Sequence, residues 1–273
     1  MSSVKPVISI IVRDDGRDLA AVLASLAAPG EVGLEVIVEN DTDFGAALER
    51  GFSRASGSIL GCLDADDRLL PGAASGIAAA IAPERGMFAA LGRAAWRVED
   101  VSDLAVPQPG EWLGLSDHLR IWDKRFNTVP RASFFWHRSV RERVGPFIRG
   151  PAYAVDYDFT CRVGRHFAIH RVDAFWSLSR MAPEASAGPT EQEMLQACIE
   201  VSRRYWGPWW SPLRWRCALS LAAYERHWHD HARHHARRRE RAVAEGRRFA
   251  AAIELAKTWL YSPAMARGRF LDR

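Results

Sequence analysis

The stretch SILGCLDADDRLLPG, residues 58–72, closes a short apolar run with three acids in four positions. Ile59, Leu60, Cys62 and Leu63 read as a buried strand, and Asp64, Asp66 and Asp67 follow at once. Around it the chain alternates strand and helix patterns. Residues 7–12 form a β-branched run suited to a strand buried on both faces. RDLAAVLASLA, 17–27, sets Leu19, Leu23 and Leu26 on one helix face, and Pro29-Gly30 stops it. LEVIV, 34–38, predicts a second strand, and FGAALERGFSRA, 44–55, a second helix. PGAASGIAAAIA, 71–82, predicts a third helix with Pro71 in its first turn. Repeated β-α units of this length predict an α/β domain whose mostly parallel sheet is covered by helices.

Further along, residues 91–135 place Trp96, Trp112 and Trp122 among Pro- and Gly-containing loops and show no regular period. A helix is expected to begin near Asp156, and FAIHRV, 167–172, reads as a strand. APEASAGPT, 182–190, is a loop by composition. Beyond it the chain is helical to its end: residues 213–262 hold no proline and one glycine, Gly246. The expected organisation is an α/β domain over 1–190 and a helical, basic, tryptophan-rich extension over 191–273.

Composition narrows the function classes. The 273 residues are 48% hydrophobic and 26% charged, ordinary for a globular chain that buries a core. A net charge of +4 does not by itself point to nucleic acid, although residues 225–248 carry eight arginines against four acids and five of the nine histidines. Cys62, Cys161, Cys198 and Cys217 are scattered, without a CxxC pair, which fits a reducing compartment. The N-terminus lacks the pattern of a signal peptide, and no stretch approaches the ~20 apolar residues of a membrane span. The expected location is cytoplasmic, soluble or peripheral at the inner face of the membrane.

In open parallel sheets ligands bind beyond the carboxyl ends of the strands. Asp14 and Asp15 follow the first strand, Glu39 and Asp41 end the second, and Asp64, Asp66 and Asp67 end the third. Hard oxygen donors there suit Mg²⁺ or Mn²⁺ shared with substrate phosphates. One D-x-D alone reads as well as a turn and helix cap; three acidic strand ends on one edge favour the metal and a phosphorylated ligand.

ASGSILGCLDADD, 55–67, resembles the A-x-G-x-x-[apolar]-x-x-L-D-x-D-D signature of the family 2 glycosyltransferases. FNTVPRASFFWHRSVRERVGPF, 126–147, and YAVDYDFTCRV, 153–163, are similar to the segments around the acceptor site in one bacterial, polysaccharide-type branch. The resemblance implies a GT-A fold with a C-terminal helical extension, and a nucleotide-sugar donor. It places the divalent metal on Asp66, with Asp64 on the ribose or assisting the metal, and Asp41 on the base or ribose. Asp14, Asp15, Glu39 and Arg180 complete the donor site. Asp156 would be the catalytic base, with Asp158 its neighbour. The implied reaction is an inverting displacement by a hydroxyl of a saccharide or lipid-linked acceptor during cell-surface polysaccharide assembly. Local sequence offers competing roles: Asp156 as a helix N-cap, Asp158 and Arg162 as a surface i,i+4 ion pair, and Arg180 as an ordinary ion-pair partner. The chain departs from the family where P-T-Y-N becomes Arg13-Asp14-Asp15-Gly16 and where a histidine after Arg180 becomes Ala182. A second reading is therefore a catalytically degenerate GT-A-like scaffold that acts through its tail.

In that tail, Trp206, Trp209, Trp210 and Trp215 stand beside arginines and a basic helix follows. Trp with Arg suits an anionic membrane interface, and packing against the catalytic domain or a dimer partner competes equally. Nucleic acid fits less well, because the aromatics precede the arginine run rather than interleave with it. His227, His231, His234 and His235 have helical spacing, and a solvated basic face accounts for them better than a metal.

Overall fold

The computed structural model describes the chain apart from residues 1–6, 15, 17, 28–31, 41–42, 98–104, 109–111, 125–128, 181–190 and 262–273. Its first half follows the alternating pattern: β1 (Ile8–Arg13), α1 (Leu19–Leu26), β2 (Leu34–Glu39), α2 (Phe44–Arg54) and β3 (Ile59–Asp64). Short acids start the helices. Asp18 accepts from Ala21 N at 3.3 Å and Asp43 from Ala46 N at 3.0 Å. A two-residue strand, β4 (Arg68–Leu69), separates the acidic turn from α3 (Ala73–Ala80). Pro71 therefore lies before the helix, not in its first turn, and Gly72, with φ +79°, makes the entry.

The remaining elements are β5 (Ala89–Arg97), β6 (Ala105–Pro107), α4 (Leu115–His118), β7 (Phe134–His137), α5 (Arg138–Val144), α6 (Ala152–His166) and β8 (Ile169–Arg180). The eight-stranded sheet runs β2-β1-β3-β7-β5-β8-β4, with β6 on β5. It is parallel across β2-β1-β3 and between β5 and β8, and antiparallel where β7 joins β3 and β5. The sheet is thus mixed. Parallel pairing holds where helices connect the strands, and the antiparallel part comes from the middle segment, whose pattern showed no regular period.

Alternate strand residues feed two apolar layers. Ile8, Ile10, Val12 and Leu63 face α1 and α3 with Val22 and Ile77, whereas Ile11, Leu60 and Cys62 face α2 and α6 with Leu48, Val155 and Phe159. β1 is buried on both faces, as its β-branched run required.

The chain divides into two compact units, Met1–Trp206 and Gly207–Arg273. The first continues past residue 190 because α7 (Glu191–Arg203) and the turn after it supply core groups. Ser202 donates to Leu119 O at 2.6 Å, and buried Trp206 donates to Ser202 and meets Trp122 edge-on. The second unit is the long α8 (Pro212–Ala244) and α9 (Arg248–Tyr261), with Gly246 at φ +71° between them. Buried Glu254 of α9 joins His235 (2.6 Å), Arg238 and Lys257. Among the described residues no three His, Cys, Asp or Glu side chains form a metal cluster.

Gly61 is required by packing rather than by backbone angle. A Cβ there would stand 2.3 Å from the Phe135 ring on β7, whose antiparallel seat on β3 leaves no room. Gly61→Ala should lower stability by about 1–3 kcal/mol in urea denaturation; a loss of less than about 0.5 kcal/mol would show that the strands are not so closely apposed.

Candidate active site

The carboxyl ends of the three parallel strands align, Glu39 beside Arg13 beside Asp64. Because β7 runs antiparallel to β3, the turn that precedes β7 arrives at this same edge and delivers Arg131. Arg13 Nε donates to Asp64 Oδ1 at 2.9 Å, and Arg131 Nη2 donates to Asp64 Oδ2. The other arm of Arg131, Nη1, donates to Asp156 Oδ2 at 2.6 Å. One guanidinium thus joins the strand-end acid to the acid on α6. Phe44 at the start of α2 lies under both cations, 4.6 Å from Arg131 and 5.3 Å from Arg13, within cation–π range.

Asp156 is not a helix cap. α6 starts at Ala152 with Pro151 as its N-cap, so Asp156 lies in the second turn, where a cap has no function. Burial pushes its carboxyl up, Arg131 pulls it down and Asp64 pushes it up again, leaving it near 6. For Arg131, burial opposes the charge, but Asp156 and Asp64 hold it protonated above its ordinary range.

Asp158 belongs elsewhere. It is 2% exposed, accepts from Arg162 Nε at 2.8 Å and Tyr205 OH at 2.6 Å, and Arg162 continues to the Val144 and Gly145 carbonyls. The Asp158–Arg162 pair is i,i+4, but it is buried and joins α6 to the end of α5 and the turn after α7; it is not a surface pair. Two residues along a helix is about 200°, so Asp156 and Asp158 face opposite ways.

The other acids divide similarly. Glu39 is buried and paired with Arg50 and Arg54 of α2. Asp14 accepts from Gly16 N at 3.0 Å in a local turn. Asp66 is half-buried in the turn after β3, and Arg180 is exposed at the end of β8. Asp15 and Asp41 lie outside the described residues. Asp67 turns inward to accept from Asp64 N at 2.8 Å; burial and then the Asp64 charge push it up to about 6.

The structure therefore joins Asp64 and Asp156, and does not add Asp158 or Glu39 to them. Sequence reasoning missed Arg131, Arg13 and Phe44. The signal for Arg131 was one cation in the apolar run TVPRASFFW. For a divalent cation, Asp64 and Asp66 bring hard oxygen donors to the acidic turn, and both Asp64 oxygens accept from guanidinium groups. These residues fit a cation held by one carboxylate and substrate phosphates rather than a caged one. A separate cavity of about 270 Å³ lies beside the first half of β3, lined by Phe52, Leu60, Arg138 and Arg141, away from this edge.

Residues 4–140 match the family model of glycosyl transferase family 2. The chain belongs to this family. The match includes Asp64, Asp66 and Arg131 and stops before Asp156. No curated protein matches the chain. Among solved structures, S. aureus TarS 1-349 in complex with UDP-GlcNAc is similar at TM-score 0.49 and 13% identity, covering 96% of this chain and 92% of that one. S. aureus TarS 1-349 in complex with UDP gives 0.47 and 15%, covering 97% and 93%. Against S. aureus TarS itself the values are 0.45 and 15%, and this chain covers 44% of that chain's length.

In this family 2 chain Asp67 has a sign-specific effect on stability. Its folded pKa is raised, so its contribution is full below the unfolded value near 4 and is lost as pH rises through about 6. Asp67→Asn keeps the acceptor for Asp64 N without the charge. Relative to the native chain, the variant should gain on the order of 1 kcal/mol in urea denaturation between pH 4 and pH 7.5; a pH-independent difference contradicts this.

Proposed function

We propose that this chain is an inverting, metal-dependent glycosyltransferase. It moves a sugar from a nucleoside-diphosphate donor to a hydroxyl of a saccharide or lipid-linked acceptor in cell-surface polysaccharide synthesis. The observation that carries the reading is the Asp64–Arg131–Asp156 bridge. It puts a carboxyl titrating near 6 next to the acidic strand end that bears the family signature. A general base works best with a pKa near the operating pH, and Asp156 meets that condition without leaving the ionisable range.

Asp156 takes the acceptor hydroxyl's proton as that oxygen bonds to the anomeric carbon. The bond from that carbon to the diphosphate oxygen breaks on the opposite face, and its electron pair leaves with the diphosphate. One displacement inverts the configuration. Arg131 and Arg13, held over Phe44, present positive charge to the departing diphosphate, and Arg180 adds a third cation from the end of β8. A divalent cation held by Asp66 would neutralise charge on the same leaving group. Asp64 orients the two arginines, and Asp158 holds α6 in place.

The second reading, a binding scaffold without turnover, is favoured by one observation: Asp64 and Glu39 are committed to arginines within the protein. One experiment separates the two. Transfer is assayed over UDP-, GDP- and dTDP-sugars with Mn²⁺, with donor binding followed by calorimetry. Asp156→Asn should leave donor binding almost unchanged and cut transfer about 10²-fold or more. Asp66→Ala should abolish the Mn²⁺-dependent part of nucleotide binding. Full transfer by Asp156→Asn refutes the base, and absence of transfer with every donor favours the scaffold.

A further inference from the structure

The C-terminal unit differs in charge from the rest of the chain. Residues 207–273 hold fourteen Lys and Arg against six Asp and Glu, a net +8, whereas residues 1–206 are net −4. The unit also exposes large aromatic groups at one end. Trp209 is 72% exposed, Trp210 66% and Trp215 56%, with Leu219 at 67%. Burying a tryptophan is among the larger gains a side chain can make, so three left in water on one short segment are an unmet driving force.

These groups are held on ordered structure. Trp209 and Trp210 occupy the centre of a turn closed by Ser211 N to Pro208 O at 2.9 Å, entered through Gly207 at φ +82°. Their rings meet edge to face with centroids 5.6 Å apart, and Arg214 of α8 donates to Gly207 O at 3.2 Å, tying the turn to the helix. Trp215 and Leu219 are four apart on α8, on the side opposite buried Cys217 and Leu221.

The same stripe changes character along the helix. At 3.6 residues per turn the same side continues through Ala222 to exposed Arg226 and Arg237, with Glu240 beside the latter. α9 covers a different side, where His235 and Glu254 meet and Ala242 is buried; position 235 is about 200° from 215. One side of the 33-residue α8 thus carries an aromatic, apolar head and then Arg226 and Arg237, exposed and not covered by α9. Arg214 and Arg216 flank the head and are exposed.

We infer that this stripe docks on the surface of an anionic lipid bilayer, with Trp209, Trp210, Trp215 and Leu219 in the headgroup region and the exposed arginines of α8, Arg226 and Arg237 among them, on lipid phosphates. Tryptophan favours that interface because its ring is apolar while its N–H stays wet, and a basic helix face is drawn to anionic headgroups. A folded partner fits these arginines only if it presents matching acids beside an apolar pocket; a bilayer supplies both without such matching. Single-stranded nucleic acid would need aromatics spaced along the cationic track, and here they are gathered at one end. No described helix is long and apolar enough to cross a membrane, so docking is on the surface. The inference is independent of the transferase reading, since it rests on the C-terminal unit alone.

The test is co-sedimentation of the full chain with vesicles of phosphatidylcholine alone or with about 30% phosphatidylglycerol, at low and high salt. The expected result is binding to the anionic vesicles only, weakened about tenfold or more as salt rises from 50 to about 500 mM. Trp209→Ala, Trp210→Ala and Trp215→Ala combined should lose that binding with the helical circular dichroism unchanged. Arg226→Glu with Arg237→Glu, at exposed positions, should lose it by charge with the helical circular dichroism again unchanged. Absence of sedimentation with anionic vesicles at low salt overturns the inference. So does equal binding to both vesicle types, or a self-associated chain that the tryptophan substitutions make monomeric without any vesicle binding.

Discussion

The guanidinium of Arg131 is the interaction on which the site depends. Its two arms reach Asp64 at the end of β3 and Asp156 in α6, and its plane lies over Phe44. Without it, the buried edge would hold Asp64, Asp67 and Asp156 as mutually repelling acids. Two like charges 4 Å apart cost about 4 kcal/mol at an effective dielectric of 20. Removing one partner from a buried pair typically costs about 3–5 kcal/mol, because the other is left charged and unpaired. The sheet's mixed character follows from the same need. Only an antiparallel β7 brings the residue preceding that strand to the carboxyl end of β3.

The two acids of DYD show how one short motif serves both chemistry and architecture. Tyr157 between them donates to the His118 carbonyl and fixes the roll of α6. With that roll fixed, Asp156 must face Arg131 while Asp158 must face Arg162 and Tyr205. Asp158 is deeply buried and doubly paired, so it sets where the helix sits; Asp156, 16% exposed on its side chain and poised near 6, is the one able to exchange a proton. The position of the reactive group therefore depends on a structural pair two residues away.

Much of this was legible in the sequence. The β-branched run at 8–12, the helical period of α1 and the apolar-to-acidic switch at 63–64 read as the structure has them, although Val22 rather than Leu23 packs with Leu19 and Leu26. Residues 213–262 read as helical with one glycine, and the structure divides them into two helices at that Gly246. What was not legible came from pairings between distant segments. Residues 91–135 build β5 to β7 and the Arg131 turn, and their short strands are specified by neighbours such as Gly61 and Phe135 rather than by their own period. The local reading of Asp156 as a cap failed because Pro151 starts α6 a turn earlier. Asp158 read as a surface residue because i,i+4 spacing does not reveal that Tyr205, nearly fifty residues on, closes over it.

The central claim is electrostatic: Asp156 is a half-buried carboxyl whose ionisation Arg131 keeps within reach of neutral pH. The direct measurement is a ¹³C NMR titration of aspartate carboxyls, with the Asp156 signal assigned by its loss in the Asp156→Asn chain. In the native chain it should titrate near 6, and in Arg131→Gln, freed of the cation that pulls it down, at clearly higher pH. A carboxyl that titrates near 4, like an ordinary aspartate, in both chains would contradict the account.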